Sequence, residues 1–170
     1  NRTKPFAEKH DLYPQATWHF IGVLQSNKAK DVVGRAALIH SVDRPSLLRA
    51  IQKAAERAGL VQDILVEVSV SGEASKGGVA PQELQAFLEE VCSCPNVRCK
   101  GLMTMAPRGD GCVARETFAG LRKLALKMSE VFQDRDTIAF DELSMGMTED
   151  FREAISEGAT MSAPALVPDR

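Results

Sequence analysis

The segment Ser144-Met145-Gly146-Met147-Thr148 places a small hydroxyl side chain, a glycine and a second hydroxyl just ahead of a stretch with helical character. A helix N-terminus presents unpaired backbone N–H groups and the positive end of the helix dipole, so this arrangement suits a phosphate. Gly146 permits close backbone approach. The same residues also fit a plain capping role for Ser144 and Thr148, and local sequence leaves both readings open. His19 and His40 lie inside β-rich runs, where a lone histidine is more often structural than catalytic, and His40 is given no functional role. Glu73 and Lys76 suit a loop ion pair of small energetic value. Met103 and Met105 stand where core methionines would serve equally well. No Ser/His/Asp arrangement, HExxH, P-loop or GxGxxG occurs. From spacing alone the chemistry reaches a phosphate-binding ligand site and stops there.

Cysteines occur at 92, 94, 99 and 112. Cys92-Ser-Cys94 is tighter than the gap of a structural zinc site, and no histidine lies near it, so reduced thiols in a cytoplasmic protein are the expected state. Net charge is −2 with both signs interspersed, which offers no footprint for nucleic acid or an anionic membrane. No apolar run approaches the ~18 residues of a membrane helix. The chain begins at Asn1 rather than Met, and no secretory signal pattern opens it. Asn1-Arg-Thr3 matches a glycosylation sequon and Arg108-Gly-Asp110 an integrin-type tripeptide, short patterns that arise readily by chance and carry almost no weight.

The elements that must position such a site alternate along the chain. β-rich runs fall at Thr17–Gly22, Leu38–Val42, Asp63–Val70, Arg98–Met105 and Phe140–Ser144, with a weaker one at Ala159–Ala163. Between them, apolar residues recur at helical spacing: Leu47, Leu48, Ile51, Ala54, Ala55 and Ala58; Leu84, Phe87, Leu88 and Val91; Phe118, Leu121, Leu124, Ala125, Met128 and Val131. A short helix is expected over about Glu149–Ser156, with Thr148 as N-cap and Gly158 as stop. Strand-helix alternation with apolar strands predicts a parallel sheet covered on both faces. Pattern alone leaves an open doubly wound sheet and an incomplete eight-stranded barrel both standing. In either, ligands sit at the C-terminal ends of the strands, and Gly22–Lys28, Ser71–Gly78, Gly101–Pro107 and Ser144–Thr148 cluster there.

Five segments, Trp18–Lys30, His40–Arg44, Glu67–Gly78, Gly101–Pro107 and Leu143–Thr160, resemble pyridoxal phosphate homeostasis proteins across nearly the whole chain and in the right order. The resemblance implies an α/β fold, a (β/α)8 TIM barrel like that of alanine racemase, binding pyridoxal 5′-phosphate (PLP). It implies a non-catalytic protein that buffers PLP or delivers it to PLP-dependent apo-enzymes in the cytoplasm. By the same resemblance Ser144 and Gly146 help bind the phosphate, while Asn1, His19, Met103 and Met145 lie in or around the pocket.

Two departures accompany the match. Family members hold PLP as a Schiff base on a lysine at the end of the first barrel strand. Thr3-Lys4-Pro5 imitates that segment, but Lys4 stands too close to Trp18 to be that residue. Asn1-Arg2 instead fits the end of the family's second strand. The expectation is an incomplete barrel over residues 1–170, about six βα units, with the first two strands and the Schiff-base lysine missing. At the other end, the family's arginine beside the pyridine nitrogen is replaced by Ala163, and Pro164 follows where a ladder donor would be needed. Two other functions remain compatible with the resemblance: a racemase-like PLP enzyme, for whose usual β-domain 170 residues leave no room, and a non-functional fragment.

Overall fold

The computed structural model describes residues 2–72 and 77–164, so Asn1, Glu73 and Lys76 lie outside the described residues. Among the described residues five strands form one sheet: β1 (His19–Phe20), β2 (Leu38–Val42), β3 (Gln62–Glu67), β4 (Val97–Met103) and β5 (Ile138–Ser144). All neighbours pair in parallel, in the order β1-β2-β3-β4-β5. A doubly wound sheet reverses its strand order at a switch point. Strict succession is instead the winding of a barrel wall, so the fold is an incomplete (β/α)8 barrel.

The expected sixth strand is a correction. Ala159–Ala163 contributes a single parallel bridge, Ser144 to Met161, rather than a strand. It is nevertheless laced to β5: Thr160 N–H donates to Leu143 O (3.0 Å), Met145 N–H to Met161 O (3.0 Å) and Ala163 N–H to Gly146 O (2.9 Å). Pro164 has no N–H, so the ladder cannot continue beyond Ala163.

Helices cover the outer face. They are α1 (Thr3–Leu12), α2 (Ala29–Val32), α3 (Pro45–Ala58), α4 (Leu84–Cys92), α5 (Gly111–Val131) and α6 (Phe151–Ser156). Pro45 sits in the first turn of α3, where its missing N–H costs nothing. Gly59, at φ +66°, ends that helix with Gly59 N–H to Glu56 O and Leu60 N–H to Ala55 O, both 3.1 Å. Between these signals Leu47, Leu48, Ile51 and Ala55 form the stripe that packs on the sheet. In α5 the Asp110 side chain caps the helix by accepting from Cys112 N–H at 2.8 Å. Phe118 and Leu121, both fully buried, anchor its inner face, and each such burial stabilises by about 2–3 kcal/mol. No helix among the described residues is long and apolar enough to cross a membrane.

The two faces of the sheet have different company. Ile39, Ile64, Val66 and Leu102 join the large core shared with the helices. Leu38, Leu65 and Met103 form a second cluster with Ile21 and Met161 on the barrel interior. This is strand alternation expressed as two cores. Cys99 belongs to the outer core, where burial pushes its thiol up to about 12, so it acts as a small apolar residue.

Candidate functional site

The C-terminal ends of the strands open on a cleft of about 500 Å³, lined by His19, Ile21, His40, Ser144 and residues 160–164. That volume lies within the roughly 300–1,000 Å³ of small-ligand sites. His40 follows Leu38 by two residues and shares its inward direction. In the row above the Leu38–Leu65 cluster, Glu67 is in register with Met103 and Met103 with Ser144. The register therefore sets one acid, one thioether and one hydroxyl side by side, and the hydrogen bond from His40 to Ser144 joins a histidine to them.

A hydrogen-bonded chain crosses this rim. His19 Nδ1 lies 3.0 Å from His40 Nε2, and His40 Nδ1 lies 2.8 Å from Ser144 Oγ. His40 and Ser144 are 2% and 6% exposed, whereas His19 stands at the exposed end of the chain. Burial, reinforced by the neighbouring His19, pulls the His40 imidazole down to about 4. Burial also lowers His19, against the attraction of Glu142. Both rings are accordingly neutral at neutral pH. Glu67 shows the opposite response: burial, aided by the charge of Asp43, pushes its carboxyl up to about 7. Thr160 braces the cleft wall, its hydroxyl donating to Glu142 Oε2 (2.6 Å) and accepting from Leu143 N–H (2.9 Å).

The residues singled out by sequence are placed as follows. His19 and Ser144 line the cleft, and Met103 is buried beneath it, 2% exposed, among the interior cluster. Met145 turns to the opposite face and joins the outer core. Its backbone N–H fixes Met161 and with it the cleft wall. Gly146, at φ +92°, is where the chain passes against α6. A Cβ there would lie 2.6 Å from Ala154 Cβ and 3.1 Å from Phe151 Cα, so any side chain would push the helix away. Asn1 lies outside the described residues.

The capping expectations are corrected. Ser144 ends β5 and bonds His40 rather than a helix terminus. The helix starts at Phe151 with Asp150 as its N-cap, not at Glu149 behind Thr148. The Asp150 carboxylate reaches back to Met147 N–H at 2.6 Å, which tightens the turn. Gly158 does stop α6, with Gly158 N–H to Ile155 O (3.0 Å) and Ala159 N–H to Ala154 O (2.9 Å).

Sequence reasoning missed His40, which links His19 to Ser144. The signal that would have found it is pairing: His19 is in register with Leu38, so His40 is its diagonal neighbour on the same face. Lys4 lies within α1, exposed, and is not among the residues lining the cleft. Among the described residues, no group of three or more His, Cys, Asp or Glu side chains is arranged to hold a metal.

Comparison with known proteins agrees with this geometry. The family described as alanine racemase, N-terminal domain, matches residues 7–164. A pyridoxal phosphate homeostasis protein of Aquifex aeolicus is 42% identical over 164 residues, 95% of this chain and 70% of the relative. One of Pseudomonas aeruginosa is 42% identical over 158 residues, 91% of this chain and 63% of the relative. The structure of PipY from Synechococcus elongatus without PLP matches with a TM-score of 0.86 at 32% identity, covering 96% of this chain and 77% of that one. Its PLP-bound form matches at 0.84, also at 32% identity, covering 96% and 76%. Alanine racemase of Corynebacterium glutamicum, at 12% identity and a TM-score of 0.74, covers 97% of this chain and 45% of that chain and shares the fold alone. Fold, motif order and these relatives converge: the chain belongs to the alanine racemase N-terminal domain family, and within it to the pyridoxal phosphate homeostasis proteins.

Proposed function

We propose that this chain binds PLP reversibly in the cleft and serves PLP homeostasis as a non-catalytic carrier in the cytoplasm, handing the cofactor to PLP-dependent apo-enzymes. The observation that carries this reading is the Ser144 hydroxyl, held by His40 at the end of a parallel strand and one residue from the Met145-Gly146 turn. The lining suits a phosphate: the Ser144 hydroxyl and the small side chains of Ser162 and Ala163 along the wall leave room for it. His19 flanks the ring and Met103 supplies an apolar floor. PLP itself supplies an aldehyde that condenses with amines. Among the described residues the lining includes no lysine, so affinity there rests on phosphate contacts and ring packing. The second reading, a racemase-like enzyme, is favoured by no feature of the cleft, and the racemases among the neighbours share fold only.

Titration of the purified chain with PLP, pyridoxal and inorganic phosphate tests the proposal. PLP is expected to bind saturably and to be removed by dialysis, with pyridoxal at least about tenfold weaker for want of the charged hydrogen bonds. Ser144→Ala should weaken PLP by a similar factor. Borohydride reduction followed by intact-mass measurement should leave no stoichiometric adduct on Lys4. Equal affinity for PLP and pyridoxal would refute the phosphate site, and a Lys4 adduct would overturn the placing of the cofactor.

A further inference from the structure

We infer that His40 is a positioning residue whose imidazole couples the two ends of the cleft, so that a ligand accepting a hydrogen bond at Ser144 must be matched by a donor at His19. This rests on the reading of the cleft as a phosphate-ester site and goes beyond it, because it assigns a hydrogen-bond polarity to the end of the ligand remote from the phosphate.

Proton number constrains the chain. A neutral imidazole carries one N–H and one bare nitrogen. His40 uses both nitrogens, Nε2 towards His19 Nδ1 at 3.0 Å and Nδ1 towards Ser144 Oγ at 2.8 Å. Its single proton lies in one of those gaps, and it must accept in the other. Only two arrangements of the chain satisfy both contacts. In the first, His19 Nδ1–H donates to His40 Nε2 and His40 Nδ1–H donates to Ser144 Oγ. The Ser144 hydroxyl hydrogen is then free to point at a ligand, and His19 Nε2 is a bare acceptor. In the second, every bond reverses: Ser144 O–H donates to His40, His40 Nε2–H donates to His19, and His19 carries its proton on Nε2. Ser144 then offers only lone pairs.

An anionic phosphate oxygen repels those lone pairs and selects the first arrangement. His40 is buried at 2% exposure, so water does not readily supply substitute partners midway along the chain. Selection at Ser144 therefore fixes the tautomer of His19, 21 residues from His40 in sequence and on the neighbouring strand. The ligand class that profits from both ends is a phosphate ester bearing a hydroxyl or N–H donor. A phosphate ester with only acceptors at its far end meets a bare nitrogen and loses affinity. The neutrality that the count requires agrees with the burial of both rings.

Long-range ¹H–¹⁵N correlation spectra of the full chain, with ¹⁵N-labelled histidine, read the tautomers directly. On adding PLP or inorganic phosphate, both His40 and His19 are expected to carry the proton on Nδ1. Saturable PLP binding with His40 still protonated at Nε2 overturns the coupling and leaves the cofactor site intact. No saturable binding of either probe overturns both. Two variants supply an independent readout. His40→Asn keeps an amide donor where Nδ1–H stood and should hold the preference for PLP over pyridoxal within about threefold of the original chain. His40→Leu should lose most of that preference, about tenfold. A merely structural loss would weaken PLP and pyridoxal alike, and equal preferences in the two variants would refute the positioning role. The spectra of the unmodified chain decide the matter if the leucine variant does not fold.

Discussion

Gly101→Ala is expected to destabilise the chain by at least about 3 kcal/mol. Gly101 sits in β4 between two neighbours, opposite Leu65 of β3 and Glu142 of β5. Both registers shift between Cys99 and Gly101: against β3 Lys100 is the extra residue of a bulge, whereas against β5 the excess lies in β5, where residues 139–141 face Lys100 alone. Gly101 has φ +154°, and a Cβ built on it would run into the backbone carbonyl of Glu142. A carbonyl in a ladder cannot swing aside as a side-chain tip can, so β4 and β5 would have to separate. Gly59→Ala is the control. Its φ of +66° is left-handed and only mildly unfavourable for alanine, and nothing lies within 4 Å of the added atom. That change should cost only about 1 kcal/mol. Urea unfolding of the two variants measures the contrast. A Gly101→Ala chain within 1 kcal/mol of the original would show that the strands accommodate the methyl. Because β5 carries Ser144, the same variant should also lose PLP binding.

Glu67→Gln is expected to change how stability depends on pH, with a sign that can be worked out in advance. The carboxyl of Glu67 is pushed from an ordinary 4.5 up to about 7 in the folded state. Between those values the folded chain keeps a proton that the unfolded chain has released. Stability therefore falls as pH rises through that window, and the full cost is present above pH 7. His40 runs the other way. Its imidazole is held down to about 4 from 6.5, so the unfolded chain takes up the proton first. Its share of stability is complete above pH 6.5 and is lost as pH falls towards 4. At about 1.4 kcal/mol per pH unit, each displacement amounts to about 3 kcal/mol. The two contributions oppose one another between pH 4.5 and 6.5 and largely cancel. Glutamine removes one of them. The variant should match the original chain below pH 4.5 and pull ahead by about 3 kcal/mol by pH 7, with its own profile rising through the histidine window. Denaturant titrations at half-unit pH steps test this. Parallel profiles for the two chains would mean that Glu67 titrates normally.

The barrel-like alternation was legible because the stripes of α3 and α5 and the apolar runs of β2 and β3 obey simple periods. Strand limits were less legible, since pairing rather than propensity decides them. Thr17–Gly22 reads as a full strand, yet only His19 and Phe20 meet β2. Beyond them Gly22 O takes its hydrogen bond from the Ser41 hydroxyl at 2.7 Å. β5 begins two residues earlier than its composition suggests, at Ile138, because Ile138 has Cys99 as a partner. Thr148 lost the cap to Asp150 for a geometric reason: the turn from Ser144 has to travel past Gly146 before a helix can start. His40 escaped notice because its two partners are 21 and 104 residues away. A histidine surrounded by apolar neighbours in sequence looks like a core residue until the sheet brings its partners to it.

Strict strand succession also shapes how the molecule opens. Each strand rests only on the ones before and after it, so the sheet behaves as a row of links rather than a web. The links are unequal: six residue pairs join β3 to β4, but only two join β1 to β2. Amide hydrogens of β3 and β4 should be the last to exchange with solvent, released only by global unfolding, and those of β1 should go first through local fraying. His19 therefore sits on a link of only two pairs and Ser144 nearer the firm one, which makes one side of the cleft a fixed anchor and the other a latch.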